Sequence, residues 1–543
     1  MKFAAKSLLF LIALAATFAP GQTYNTQIKH VIVIVQENRT PDNLFQDSVL
    51  TANGADIIAP QTGGKCGSTY VPLQKTPLQV CFDPDHGHGG FNDSYNQGLM
   101  NNACHDIPKE DQNCRNKYGT EAQYSYVQSS DVAPYFQIAE NYGFANYFFQ
   151  TNQGPSFPAH QFLFTGTSAP DVRTDYQGFY QWFASENPAT NSSDAGCAAS
   201  SSSKVLEISP TDGSQHYEYI PPDPISIVGY PCYEHPTMSD LLEANSISWR
   251  YYGFWQQGGA PNDIWTAPNA ISHICDPTSS YGGQCQGSDF TSHVVTNNPT
   301  QILSDLASTA PCKLQNVSWV IPDGHWSDHP QQGNQGPDWV ADIIGAVQSN
   351  TTCDTTNGHT GYWYDTVVLV TWDDWGGFYD HVLPLNCPPG PNGACTGYPD
   401  FSGKYYVYGF RVPLLVVSAY NVHGTGSFKG YISGALPPYG SGEVAPYIHD
   451  FGSILNFIEY IFGSGTHSLG EIDSQYGYHY ADFWAPDAPN QDRQSPYSLA
   501  DFFNFGQTPT QPISITPINY PASYFLNFTG PSLAPDNENT GND

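Results

Sequence analysis

Positive charge is scarce in this sequence. Lys and Arg together number 17 against 50 Asp and Glu, a formal net charge of −33, and charged residues of both signs make up only 12% of the chain. A typical soluble domain carries about 25%. So few cations give little purchase on nucleic-acid backbones or anionic lipid surfaces, and neither is expected as a partner. The same imbalance repels any anionic substrate, so a site that takes one needs a local source of positive charge.

Other absences narrow the classes further. After the first 21 residues no stretch offers 18 uninterrupted apolar residues, so no transmembrane anchor is expected in the mature chain. The cysteines include no C-x-x-C, which argues against a zinc ribbon or a thioredoxin-type motif. There is no G-x-S-x-G, the strained elbow that presents a nucleophilic serine in α/β-hydrolases, and no C-x-P-x-R. No Gly/Ser linker and no internal repeat divides the chain.

What is present begins with Lys2 and Lys6, an apolar core from Leu8 to Ala16 and small residues through Ala19. This is the form of a secretory signal peptide over 1–21, cleaved near Ala19 or Gly21. Twelve cysteines, an even number, fit export to an oxidising compartment. Close sequential pairs, Cys66/Cys81, Cys104/Cys114, Cys275/Cys285 and Cys387/Cys395, read as loop-closing disulfides. Residues 22–506 read as one large α/β domain, with a Ser-rich insertion over 188–223. Residues 507–543 form a Pro/Thr/Asn-rich tail, extended or disordered at its end.

Two stretches carry the chemistry. Thr366 to Thr371 is a β-branched run suited to a strand buried on both faces of a parallel sheet. At its carboxyl end, where open α/β sheets place ligands, stand Asp373 and Asp374, with Gly376-Gly377 allowing a tight turn. Ile28 to Val35 is a second apolar strand, and Glu37 and Asn38 follow it. Adjacent carboxylates at a buried strand end repel one another unless a cation or several donors hold them ionised. An oxygen-rich set of this kind suits a hard divalent cation.

Five motifs then occur in order: Q-E-N-R-T-P-D-N-L-F from Gln36, G-P-S-F-P-A-H-Q-F from Gly154, S-D-H-P from Ser327, T-W-D-D-W-G-G-F-Y-D-H from Thr371, and G-F-R-V-P-L-L-V-V-S from Gly409. Together, over about Ile28 to Gly463, they resemble the bacterial phosphoesterase family of secreted phospholipases C and acid phosphatases. The resemblance implies an alkaline-phosphatase-like fold: a mostly parallel central sheet flanked by helices, with loop-rich insertions. It implies one divalent metal, Ca²⁺, Mg²⁺, Mn²⁺ or Zn²⁺, held by Glu37, Asn38, Asp373 and Asp374. It also implies a phosphate-ester substrate, phospholipid or phosphomonoester.

For Ser156 the residues leave two readings. A Ser after Gly-Pro, with Pro158 two residues on, is either a helix cap or a hydroxyl held outward at a helix start, where free N–H groups favour an anion. The resemblance favours a nucleophile that takes the phosphoryl group. His86 and His88 lie in D-P-D-H-G-H-G-G, read as a loop because two rings two apart among glycines do not make a helix face. The family pattern places His86 and His329 in the active site, with His325 and His381 as lesser candidates. Pro158-Ala159-His160 replaces the usual Pro-Asn-Arg, so His160 keeps a phosphate contact only if protonated. Pro41 replaces an aromatic residue, a change that touches packing.

Elsewhere the periodicity predicts helices over Pro134 to Asn141, Thr237 to Asn245, Pro337 to Val347 and through His449 to Gly463. Strands are expected over Phe144 to Phe149, Ser246 to Tyr252, Val317 to Asp323 and Arg411 to Ser418. The expected enzyme is a secreted, metal-dependent phosphoric ester hydrolase that works through a Ser156 phospho-enzyme. Three alternatives stand beside it. The missing G-x-S-x-G disfavours a metal-independent serine hydrolase, and the missing C-x-P-x-R an arylsulfatase-like enzyme. A noncatalytic carbohydrate binder is what 14% aromatic content would permit.

Overall fold

Two runs of aliphatic and β-branched residues lie at the centre of the molecule. His30–Gln36 forms strand β1 and Thr366–Trp372 forms strand β6, and every residue of both is buried. They pair in parallel from His30 opposite Thr366 to Gln36 opposite Trp372. Strands with both faces covered cannot alternate apolar with polar, which is why each reads as an unbroken apolar run. The computed structural model describes residues 27–105, 112–170, 183–190, 193–208, 215–216, 229–253, 262–384, 408–424, 426–442, 447–463 and 497–536.

The remaining strands of this sheet are β2 (Gly143–Ala145), β3 (Trp249–Tyr252), β4 (Val294–Val295), β5 (Val317–Val320), β7 (Leu414–Ser418) and β8 (Tyr431–Ser433). Their order across the sheet is β4-β3-β5-β1-β6-β7-β2-β8. Within it, β7 alone runs against both of its neighbours, β6 and β2, and all other pairs are parallel. The expected α/β architecture with a mostly parallel central sheet is therefore present.

Helices α1 (His88–Tyr95), α2 (Ala133–Asn141), α3 (Ser156–Thr165), α4 (Met238–Ala244), α5 (Gly336–Ser349) and α6 (Phe451–Phe462) connect and cover these strands. Helices α2 and α5 pack together beside the central strands, and α3 packs with α6. On α3, Phe164 packs edge-to-face against Tyr251 of β3 and Trp319 of β5. Thr237 caps α4 through a reciprocal capping box, and Asp450 does the same for α6. Both aliphatic stripes face inward, as the 3.6-residue period requires.

Three readings change. His88 does not lie in a loop: it opens α1, because Gly87 supplies an extended cap and the glycines after it accept helical angles. Phe144 to Phe149 splits between β2 and a short strand, Phe148–Phe149, that pairs with His449–Asp450. The third change concerns disulfides, which run Cys66–Cys104, Cys81–Cys114, Cys197–Cys232, Cys275–Cys285 and Cys312–Cys353. Cys275–Cys285 is as expected. The first four cysteines interleave instead of pairing in sequence, because the Gly67 N–H bonds Asn101 O and lays the hairpin carrying Cys66 against Cys104. Cys387 and Cys395, like the expected leader at 1–21, lie outside the described residues. Among the described residues no helix is long and apolar enough to cross a membrane.

Candidate active site

The register of β1 on β6 decides where the acidic groups meet. Because Gln36 stands opposite Trp372, the next residues on the two strands, Glu37 and Asp373, leave the sheet side by side. The Asp373 N–H still bonds Gln36 O at 2.9 Å. Asn38 takes a left-handed backbone conformation, φ 58°, which asparagine tolerates better than most residues. Its N–H then reaches Asp373 Oδ1 at 3.1 Å, and the Asp374 N–H reaches the same oxygen at 2.8 Å. Gly376, at φ +62°, is needed here: a Cβ would stand 2.5 Å from Asn38 O. Its N–H fixes Asp374 Oδ1 at 2.6 Å.

These bonds leave a set of hard oxygens unused. Both oxygens of Glu37, Oδ1 of Asn38 and Oδ2 of Asp373 are buried without a hydrogen-bond partner among the described residues. The orientation of Asn38 follows from its neighbour. His86 Nδ1 faces the Pro84 carbonyl at 2.9 Å and must donate to it, so Nε2 accepts from Asn38 Nδ2 at 3.0 Å and the amide oxygen turns the other way. No Lys or Arg of the described residues forms an ion pair with Glu37, Asp373 or Asp374. Burial, and then Asp373, push the carboxyls of Glu37 and Asp374 well above the usual range. Buried oxygens that lack donors, on carboxylates that no Lys or Arg among the described residues pairs with, fit a divalent cation. A second acidic group shows the contrast: Asp42 and Asp380 are equally buried, but Arg411 and His381 lie against them and supply the counter-charge.

Ser156 stands at the start of α3, and its Oγ–H donates to Asp374 Oδ2 at 3.4 Å. Four residues on, His160 Nε2 lies 3.6 Å from Glu37 Oε1 and 3.8 Å from Asp373 Oδ2. Burial pushes the His160 pKa down to about 4, so the ring is uncharged at neutral pH and offers a phosphate no cation. His329 follows β5 and is buried, with its ring centroid 6.4 Å from that of His86. Its Nε2 is 3.6 Å from Asp83 Oδ2, and burial, with His86 and Arg39, holds its pKa well below the ordinary value. Glu37, Asn38, Asp373, Asp374, Ser156, His86, His160 and His329 thus converge at the carboxyl ends of β5, β1 and β6.

Two further candidates have other partners. His325 Nδ1 binds Asp323 Oδ1 at 2.5 Å, with Phe528 against its ring at 4.8 Å. His381 bridges Asp42 at 2.7 Å and Asp56 at 3.1 Å.

Sequence reasoning missed the braces. Arg39 donates twice to Asp328 O, at 3.0 and 2.7 Å, and again to Leu78 O at 2.7 Å, which fixes the loop that carries His329. Its position inside Q-E-N-R-T was the available signal. His88 holds Gln153 O at 2.9 Å, steadying the turn into Ser156. Asp536, buried, acts on both Glu37 and Asp374, although nothing in the tail's composition marks it.

A sequence model described as the phosphoesterase family matches residues 28–464. Phospholipase C B of Mycobacterium tuberculosis is 22% identical over 432 residues, 74% of this chain and 70% of that protein. The hemolytic phospholipase C of Pseudomonas aeruginosa is 21% identical over 475 residues, covering 80% of this chain and 53% of its own length. Non-specific phospholipase C5 of Arabidopsis thaliana matches more locally, 29% identical over 126 residues, 21% of this chain and 22% of its own.

Proposed function

Because the chain belongs to the phosphoesterase family, and so is a hydrolase of phosphoric ester bonds, we propose that it is a metal-dependent enzyme of phospholipase C or acid phosphatase type that works through a Ser156 phospho-enzyme. The observation that supports this best is the meeting of Glu37, Asn38, Asp373 and Asp374 in one buried group that no Lys or Arg among the described residues pairs with, in hydrogen-bond contact with Ser156. One divalent ion held by those four residues would offset their charge, lower the pKa of the Ser156 hydroxyl and draw charge from the phosphoryl oxygens.

The chain's own residues do the rest. Asp374 Oδ2 orients the Ser156 hydroxyl and lies where its proton can go. At the start of α3 the serine also sits where helix N–H groups favour a phosphoryl anion. As the Oγ–P bond forms, the bond to the alcohol oxygen breaks; water then cleaves Oγ–P, restoring the hydroxyl and releasing phosphate or a phosphomonoester. Both ring nitrogens of His329 lack a hydrogen-bond partner among the described residues, which suits a donor to an equatorial phosphoryl oxygen. His86, whose Nε2 is taken by Asn38, acts as a positioning residue.

The fold is read as alkaline-phosphatase-like, with 22–506 as the catalytic domain, 188–223 as an insertion and 507–543 as an appended tail. The leader-like start and the disulfides support a secreted or periplasmic enzyme.

Ser156→Ala and Asp374→Asn are the test. Each should lose nearly all hydrolysis of p-nitrophenyl phosphate and p-nitrophenylphosphorylcholine while keeping its circular dichroism spectrum. Acid quenching of the parent during turnover should give a tryptic peptide with one phosphoryl group on Ser156. A folded Ser156→Ala protein with parental turnover would defeat the nucleophile assignment, and parental turnover of Asp374→Asn after chelation would defeat the metal.

A further inference from the structure

The four oxygen donors assigned above do not account for the whole inner surface of the acidic centre. His160 stands four residues after Ser156 on α3, so the two side chains share one face of that helix. Ser156 reaches toward Asp374, while the His160 ring is directed between Glu37 and Asp373. The ring is fully buried, and neither of its nitrogens has a hydrogen-bond partner among the described residues. A buried imidazole without partners has given up its water and received nothing for it, which is costly unless something else occupies the space between the groups.

The spacing says what that is. Nε2 lies 3.6 Å from Glu37 Oε1 and 3.8 Å from Asp373 Oδ2, too long for a hydrogen bond to either. One ligand atom from each of the three residues lies within 4.8 Å of the others. Ligands about 2.1 Å from a central ion are about 3.0–3.4 Å apart in octahedral to tetrahedral shells, so these separations are near those between neighbouring ligands of one ion and would need only a small contraction around it.

We propose that His160 is a nitrogen ligand of the metal, so that the centre is a mixed nitrogen and oxygen site selective for a first-row transition ion such as Zn²⁺ over Ca²⁺ or Mg²⁺. This rests on the metal-dependent reading of the same site. Ca²⁺ and Mg²⁺ take oxygen ligands almost exclusively, whereas imidazole suits zinc and its neighbours, and an added nitrogen donor shifts preference in that direction.

The test uses the full chain, stripped with chelator and titrated calorimetrically with Zn²⁺ and with Ca²⁺. The parent should bind Zn²⁺ the more tightly. His160→Gln should lose roughly 10-fold to 100-fold or more in Zn²⁺ affinity and leave Ca²⁺ affinity nearly unchanged. A second readout needs no turnover: parent protein loaded with Cu²⁺ should show nitrogen hyperfine coupling in its electron paramagnetic resonance spectrum, and His160→Gln should lose it. Equal affinity for Zn²⁺ and Ca²⁺ in the parent, or coupling that survives in His160→Gln, would overturn the proposal. Asp374→Asn separates the two ideas. If it abolishes binding while His160→Gln binds as the parent does, only the nitrogen ligand fails; if Asp374→Asn also binds as the parent does, the metal-dependent reading fails with it.

Discussion

Single atoms decide whether this centre holds a cation, and the Asn38 amide is the clearest case. Its nitrogen is engaged by His86, which fixes the amide and leaves its oxygen buried without a hydrogen-bond partner among the described residues. His86→Leu removes that acceptor and frees the amide to rotate. The expected result is a drop of about 10-fold to 100-fold in metal affinity with little change in the circular dichroism spectrum, measured by calorimetric titration. An unchanged affinity would mean that Asn38 is oriented by something else. At this scale the sequence was legible where a polar group followed a strand directly. Glu37, Asn38, Asp373 and Asp374 could be read off two apolar runs because a strand end is both a pattern and a place. His86 could be suspected, but its role depends on a carbonyl at Pro84 and an amide at Asn38, and no local pattern records such contacts.

At the level of elements, the sheet and its helices follow from periodicity, but the connections between them do not. The loop after β6 is clamped to the turn after β1 by Asp380, His381, Arg411 and Asp42, all brought together by the fold. Arg411→Leu leaves Asp42 and Asp380 buried without their main counter-charge and should cost about 3–5 kcal/mol of stability, read by denaturant unfolding. His381 gives this cluster a pH signature. Burial opposes its charge, but Asp42 and Asp56 outweigh burial and raise its pKa to about 10. A pKa raised by folding adds stability that is fully present below the unfolded value, about 6.5, and is lost as pH rises through 10. Burial works against Asp56 too, and His381 and Arg411 bring it down to about 2, so its share is present above about pH 4 and is lost as pH falls through 2. The melting temperature lost in His381→Gln should therefore be largest between about pH 4 and 6.5 and should shrink toward pH 10. A penalty that does not vary with pH would show that His381 acts by packing alone. The interleaved disulfides were illegible for a related reason: closeness in sequence limits which cysteines can meet, but the hairpin at 64–71 chooses among them.

Across the whole molecule the question is how so acidic a chain accepts an anionic phosphate ester. Its buried cations do not serve that end: Arg39 braces the His329 loop, and Arg411 sits among aspartates. Residues 507–536 add one more carboxylate, Asp536, because they run across the domain back to the acidic centre. Asp338 accepts the N–H groups of Ile518, Asn519 and Tyr520 at 2.5, 2.9 and 2.9 Å. Phe525 then packs on Trp326 and Trp339, and the Ser532 hydroxyl and Leu533 N–H bond Asp323. Ser327 donates its hydroxyl to Pro535 O at 2.6 Å while its own carbonyl accepts the Glu37 N–H at 2.8 Å, so Ser327 alone links Pro535 to the backbone of Glu37. Composition could not reveal this, because the tail is held by backbone bonds to loops from elsewhere in the chain. The close approach depends on Gly324, where a Cβ would stand 2.1 Å from Ala534 O. Gly324→Ala must therefore push the tail off its seat, at an expected cost of about 1–3 kcal/mol. Amide exchange should rise first at residues 530–536 and leave β1 and β6 protected; exchange at 530–536 equal to the parent's would show that the tail does not depend on this contact.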